Sequence, residues 1–202
     1  MTAVLLAEKP TQVQIQTNDT KKEPMNKAES KREFFKNLEW KAFKKTALAC
    51  ITYPLSEKNH LTLLQEIMPG LLEQNIKLAF MGIGTQKYQD YFTQLNRNHP
   101  DQIVILEEDE KNKANLYNAA DVLICPSTSP DAQAAIKQAL ANNVVPIALS
   151  QSGLMNYDPV QECGNAFVFN QLSPWSLFAS IVRALENFKF PYDWKNIQNA
   201  EL

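Results

Sequence analysis

A chain of 202 residues has room for one ordinary domain, or a domain and a tail, and too little for two full catalytic lobes. Hydrophobic residues make up 45% and charged residues 21% of it, a balance that buries a core and departs from the signature of disorder. The formal net charge of −2 lacks the positive excess that grips nucleic acid or an anionic membrane, so neither is expected as a partner.

Residues 1–26 are polar and rich in Thr, Gln and Lys, with a brief alternation at Val13 and Ile15 and Pro24 near the end. They read as a tail or linker, and the folded domain is expected over 27–202. Met1–Ala7 has no basic flank before its short apolar stretch, so an export signal is not expected and a cytoplasmic location is. From Asn26 to Lys45 the spacing of Phe34, Phe35 and Leu38 predicts a helix, in a stretch with nine Lys or Arg against four Glu between Lys21 and Lys45. A solvated face is the plainer reading of that charge, an anionic partner the alternative.

Beyond it, short apolar runs alternate with amphipathic stretches. Strands are predicted at Ala47–Thr52, Lys77–Met81, Gln102–Leu106, Val122–Cys125, Val144–Ala148 and Ala166–Phe169. Helices are predicted at Leu61–Gln74, Gln86–Asn96, Lys111–Ala119, Asp131–Ala141 and Ser173–Phe188. Leu63, Leu64, Ile67, Leu71 and Leu72 share helical spacing in the first helix, as do Leu177, Ile181 and Leu185 in the last. Near-continuous apolar strands separated by helical crossovers point to an α/β fold, a doubly wound, mainly parallel, Rossmann-like sheet. The longest apolar runs, Ala47–Ile51 and Val144–Leu149, fall far short of the roughly 20 residues of a membrane helix.

Cys50, Cys125 and Cys163 are odd in number, widely spaced and outside any CxxC pair, while His60 and His99 stand alone, so no zinc site or disulfide is expected. Cys50 and Cys125 lie in apolar runs and read as packing residues. The acidic run Glu107–Glu110, with Asp121 and Asp131, offers an acid–base pair or a hard-metal site only if those carboxylates converge; a solvated loop is the plainer reading. No GxSxG, HExxH or Walker lysine occurs, and neither a catalytic residue nor a cofactor is expected.

Gly82 and Gly84 follow a predicted strand directly and open a helix, in KLAFMGIGTQKYQDYF. Missing side chains there let either a phosphate or a second backbone approach, and a tight turn explains them equally well. Ser129, Pro130 and Asp131 supply an N-cap, a first helical residue and a first-turn acid, a set that satisfies a helix N-terminus from within the chain.

From about Asn26 onward, the order of elements and their wording resemble the C-terminal half of the GT-B glycosyltransferases, most closely the bacterial glycogen/starch synthases. The likeness is carried by NKAESKREFF, LSEKNHLTLLQEIMPGLLE, LAFMGIGT, DEKNKANLYNAADVLICPS, VVPIALSQSGL and GNAFVFNQLSPWSLFASIVRAL, of which YNAADVLICPS is the most specific. It implies a lobe that holds the diphosphate and base of ADP-glucose or UDP-glucose in a cleft facing a second lobe, for retaining transfer of glucose to an α-glucan. Residues 1–26 are too few to make that acceptor lobe.

The chain departs from the family at the donor site. After Pro-Ser the family has a glutamate, then Pro, Cys, Gly and Leu; here Pro130 stands at the glutamate's position. The family's Arg and Lys after the first strand fall on Pro54 and Asn59, with Lys58 one position away. An aromatic near the base becomes Glu108, and Thr-Gly-Gly-Leu becomes Gln151, Ser152, Gly153 and Leu154. The resemblance, so altered, implies a nucleotide-sugar-binding-type lobe that is catalytically inactive alone. Candidate substrate contacts are Lys58, Gly82, Gly84, Tyr117, Ser127 and Gln133. Candidate partners are ADP-glucose or UDP-glucose, a glucan, another protein, or a second copy of the chain. Half of a two-chain glucosyltransferase, or an interaction module whose cleft-facing surface has become a dimer interface, are the alternatives.

Overall fold

A computed structural model of the chain describes residues 26–41, 45–82, 84–151 and 153–200. Apart from Asn26, the tail expected over 1–26 lies outside the described residues. Six strands, β1 (Ala47–Ile51), β2 (Ile76–Met81), β3 (Ile103–Leu106), β4 (Val122–Cys125), β5 (Val145–Leu149) and β6 (Phe167–Phe169), form one sheet in the order β3-β2-β1-β4-β5-β6. Every neighbouring pair is parallel. The connecting helices are α1 (Lys27–Asn37), α2 (Leu61–Leu72), α3 (Gln86–Asn98), α4 (Glu110–Ala119), α5 (Pro130–Ala141), α6 (Pro174–Phe188) and α7 (Pro191–Gln198), with a 3₁₀ turn at Glu57–Asn59.

Every residue of β1, β2 and β4 is buried, so helices cover both faces of the sheet and the strands read as unbroken apolar runs. Lys77 is buried in β2 and still finds an acceptor, because its ammonium lies over the Trp40 ring and donates to the carbonyl of Asp101. Cys50 and Cys125 are fully buried, and burial pushes both thiols up to about 12. The packing role expected for them holds. Among the described residues no helix is long and apolar enough to cross a membrane.

The first helix is shorter than its sequence pattern predicts. It opens on a capping box between Asn26 and Glu29 and stops at Asn37, where Glu39 takes a left-handed φ of 54°. The turn swings Trp40 back, so that its amide donates to the Phe35 carbonyl at 2.9 Å and its indole N–H to the Pro100 carbonyl at 2.8 Å. Its ring meets Phe35 edge-on at 5.6 Å. Burying an indole with its N–H satisfied outweighs one more helical turn.

Two of the basic residues on α1 are not part of a solvated face. The Lys27 ammonium donates to the carbonyls of Asn142 (2.8 Å) and Tyr117 (3.2 Å), at the ends of α5 and α4 where helix carbonyls lack partners. Lys31 donates to the Thr46 carbonyl at 2.6 Å and to Asp121 Oδ2. That carboxylate oxygen also accepts the Leu48 amide at 2.7 Å, while the Asp121 amide donates to the Leu48 carbonyl at 2.8 Å. α1 is thereby pinned to the amino-terminal ends of β1 and β4.

The last helix, α7, has no counterpart among the predicted elements. Pro191 supplies its first turn, and Trp194 packs edge-on against Phe188 (5.1 Å) and stacks on Phe167 (6.2 Å).

Two outcomes follow for stability. Asp121→Ala strands a half-buried ammonium and the buried Leu48 amide together, and is expected to cost about 3 kcal/mol in urea unfolding at pH 7. The thiols, raised on folding, stay neutral where the unfolded chain already ionises, so the stability they lend is complete below pH 9 and is lost between about 9 and 12. The wild type should therefore lose stability relative to Cys50→Ala/Cys125→Ala by about 1.4 kcal/mol per pH unit for each thiol above pH 9. Parallel stability curves from pH 7 to 10.5 would contradict it.

Candidate functional site

Strand order reverses between β1 and β4, and in open α/β sheets the crevice beyond the carboxyl ends of such a pair is where ligands bind. Four connections meet there: the one after β1 (Thr52–His60), after β2 (Gly82–Thr85), after β4 (Pro126–Ser129) and after β5 (from Ser150).

Asn59 is the hub of this end. It is 4% exposed, its Nδ2 donates to the Pro54 carbonyl at 2.7 Å, and its Oδ1 accepts both the Ser127 and the Ser129 hydroxyls at 2.8 Å. The Ser127 Oγ in turn accepts the Ser129 amide at 3.1 Å, and the Ser129 Oγ accepts the Ala132 amide at 3.3 Å. An amide side chain suits this position because it donates at one end and takes two hydroxyl protons at the other. The result is a polar weld from the loop after β1 to the N-terminus of α5.

That N-terminus is partly satisfied from within. Ser129 caps it, Pro130 has no N–H to offer, and the Gln133 amide donates to the Ser129 carbonyl at 2.9 Å. Asp131 adds a carboxylate to the first turn. The Gln133 side chain lies exposed over the turn and donates to the Thr128 carbonyl at 2.9 Å.

The two glycines are packed against backbone. Gly82 has φ +142°, and a Cβ on it would lie 2.7 Å from the Tyr53 carbonyl oxygen. A Cβ on Gly84 would lie 2.7 Å from Leu55 Cβ and 2.8 Å from its carbonyl oxygen. Leu55 and Gly84 form a parallel bridge, and the Thr85 amide donates to the Leu55 carbonyl at 3.1 Å. Of the two neighbours that the sequence leaves open for these glycines, a phosphate or a backbone, it is the Tyr53–Leu55 backbone that lies beside them.

Tyr117 lies beneath the crevice. Its hydroxyl donates to the Ala135 carbonyl at 3.3 Å and shares a hydrogen bond with Thr52 Oγ1 at 2.5 Å, tying β1, α4 and α5 together. Burial holds this phenol well above the usual tyrosine range, and it does the same to Tyr53, whose hydroxyl donates to the Ile124 carbonyl at 3.0 Å. Lys58 stands exposed on the 3₁₀ turn. Next to it Glu57 pairs with Lys87 at 2.7 Å on the surface, which lowers the carboxyl and raises the amine.

The structure thus joins Ser127 to the crevice floor, sets Gly82 and Gly84 against the loop after β1, buries Tyr117 below, and leaves Lys58 and Gln133 at the exposed rim. Of the acidic run, Asp109 is the N-cap of α4, accepting the Asn112 amide at 2.7 Å. Among the described residues no three His, Cys, Asp or Glu side chains gather to hold a metal. His60 and His99 stand at helix ends, before α2 and after α3. Ser152 lies outside the described residues. The sequence reading registered Asn59 only as a missing lysine; its role as a hub depends on partners 68 and 70 residues away. Asn59→Ala removes three hydrogen bonds and leaves the Pro54 carbonyl and two hydroxyls to find others, so it should cost about 2 kcal/mol in denaturant unfolding. A loss within about 0.5 kcal/mol would mean that the weld carries no strength.

The profile of the family described as glycosyl transferases group 1 matches residues 45–187. A glycogen synthase from Syntrophotalea carbinolica is 28% identical over 176 residues, which are 85% of this chain and 36% of that protein. The catalytic domain of starch synthase IV from Arabidopsis thaliana, solved with ADP and acarbose, superposes with a TM-score of 0.74 at 20% identity, over 85% of this chain and 38% of that one. The C-terminal domain of a glycosyl transferase group 1 family protein from Francisella tularensis gives 0.62 at 13% identity, over 86% and 88% of the two chains. These structures show a shared fold, the Rossmann-like α/β lobe of GT-B enzymes, and the chain spans about a third of the glycogen synthase it matches. Because the family match runs from just before β1 almost to the end of α6, through the reversal of strand order and every loop around it, this chain belongs to the group 1 glycosyl transferases.

Proposed function

We propose that this is a glycogen/starch-synthase-like glycosyltransferase lobe whose donor crevice has been converted into structure, and that by itself it transfers no sugar. Its remaining role is binding, with a glucan or a protein partner as the ligand. The observation that carries the reading is Asn59, which stands where the resemblance puts a donor-site lysine and spends its donor and acceptor capacity on Pro54, Ser127 and Ser129.

Electrostatics supports it. A nucleotide sugar brings two phosphate charges, and stabilising charge as the diphosphate departs is usually the largest catalytic contribution in such chemistry. Here the first turn of α5 carries Asp131 and no free capping position, and Lys58 is the cation left from the resemblance. An acid in a first helical turn stabilises the helix by about 0.3–1 kcal/mol and repels an incoming dianion by a similar or larger amount at short range. Three free cysteines fit a reducing compartment, so the cytoplasm is the location we propose.

A second reading keeps a working half-enzyme that holds a nucleotide sugar and meets its acceptor lobe on another polypeptide. What favours it is the close superposition on a starch synthase domain solved with ADP and acarbose, with exposed Lys58 one residue from the lysine position. Titration calorimetry of the chain with ADP-glucose, UDP-glucose, ADP and UDP separates the two. At the crevice we expect no dissociation constant below about 1 mM for any of the four, a binding free energy weaker than about 4 kcal/mol. Saturable micromolar binding of one nucleotide that Lys58→Gln weakens would favour the half-enzyme instead.

A further inference from the structure

We propose that a second site, at the opposite end of the sheet from the crevice, binds a small phosphate-bearing anion between α1, the Lys45 turn and the α6–α7 corner. The cavity there measures about 510 Å³ and is lined by Lys27, Lys45, Lys189 and Lys195 around the rings of Phe188 and Trp194, with Asn143 and Gln198 at its edge. Its place follows from the topology. Lys45 and Asn143 each precede a strand by two residues, so the cavity lies at the amino-terminal ends of β1 and β5.

Charge is the first argument. A chain of net charge −2 brings four lysines to one concavity that no acidic residue among the described ones lines, although one of the four, Lys189, is paired with Glu186. The nearby carboxylates are engaged or face elsewhere. Asp121 holds Lys31 and the Leu48 amide, Glu186 pairs with Lys189 on the surface, and Asp193 of α7 does not line the cavity. Lysines at helix C-termini can serve the helix dipole, and Lys27 does so through the carbonyls of Tyr117 and Asn142. That explanation does not reach Lys45, which precedes a strand and is held at φ 73°, its carbonyl taken by Asn75 Nδ2 at 3.1 Å.

The walls supply a second argument. The buried indole N–H of Trp194 has no acceptor among the described residues, an uncommon state for a buried donor. Burial also lowers the Lys27 amine to about 8, so its charge is undercompensated where it stands, and an anion would relieve that. Ammonium point charges on flexible stems bind phosphate without needing a planar, two-pronged partner, and the aromatic walls suit the sugar or base that a phosphate ester carries. The volume lies in the range of small-molecule sites, which argues against a nucleic-acid strand.

The test uses the full chain, inorganic pyrophosphate as the probe, and ADP as a second arm to ask whether an organic body adds affinity. Pyrophosphate should bind saturably by calorimetry, and Lys45→Gln/Lys195→Gln, two exposed substitutions that leave the melting temperature in place, should weaken it by about tenfold or more. Lys58→Gln, at the other end of the sheet, should leave it unchanged. In parallel, amine-directed labelling read by mass spectrometry should show Lys27 and Lys45 protected by pyrophosphate. Absent binding, binding insensitive to the double substitution, or loss with Lys58→Gln would each overturn the proposal; only the last would also weaken the reading of the crevice given above.

Discussion

The fold depends on the seam between β1 and β4, where strand order reverses. It is a short seam: the paired register covers Ala49 with Val122 and Cys50 with Leu123. Two ladder positions are little for the join on which a six-stranded sheet turns, and the chain supplements them at both ends. At the amino ends Asp121 exchanges hydrogen bonds with Leu48 through both its backbone and its carboxylate, and Lys31 neutralises the charge. At the carboxyl ends Tyr53 reaches across to the Ile124 carbonyl, Tyr117 to Thr52 and Ala135, and Asn59 to Ser127 and Ser129. Buried polar groups of this kind are costly when half satisfied and stiffening when fully satisfied, and these are satisfied.

The carboxyl-end bonds lie in the crevice where ligands bind in open α/β sheets. A helix N-terminus attracts anions because its first amides point outward with nothing to meet. Ser129, Pro130 and Asp131 fill, remove or repel at those positions, and Asn59 locks the cap in place from the side. Gly82 and Gly84 show the same exchange: the space their missing side chains leave is taken by the Tyr53–Leu55 backbone. Stability at the seam and openness of the crevice are thus alternative uses of the same few residues.

Much of the fold was legible in the sequence, because buried parallel strands and amphipathic crossovers carry strong local patterns. Strand ends fall within one or two residues of the predicted ones, and the Ser129-Pro130-Asp131 cap stands as read. The misses have one physical cause, contacts distant in sequence. α1 ends early because Trp40 returns to Phe35 and Pro100; α7 forms on the rings of Phe167 and Phe188, and its eight residues are too few to announce themselves by periodicity. Lys27 and Lys31 looked solvated because their acceptors are 15 to 115 residues away. The hydrogen bonds of Asn59 were not legible locally, because they join residues 68 and 70 positions apart.

Side chains at the two ends of the sheet work against the usual electrostatics of a parallel α/β lobe. Helix N-termini gather at the carboxyl ends of the strands and favour anions there, while helix C-termini gather at the amino ends and favour cations. In this chain the carboxyl end has an acid in the first turn of α5 and a neutral amide at its hub, so the expected attraction is muted. At the amino end, Lys27 and Lys31 neutralise helix carbonyls and Asp121, yet Lys45 and Lys195 add charge beyond that need. Helix dipoles are equivalent to roughly half a charge each, so side chains placed this way decide the sign of the local field. Lys45 and Lys195 therefore add positive charge at the end remote from the crevice, and a search for the ligands of this lobe has reason to begin at both ends.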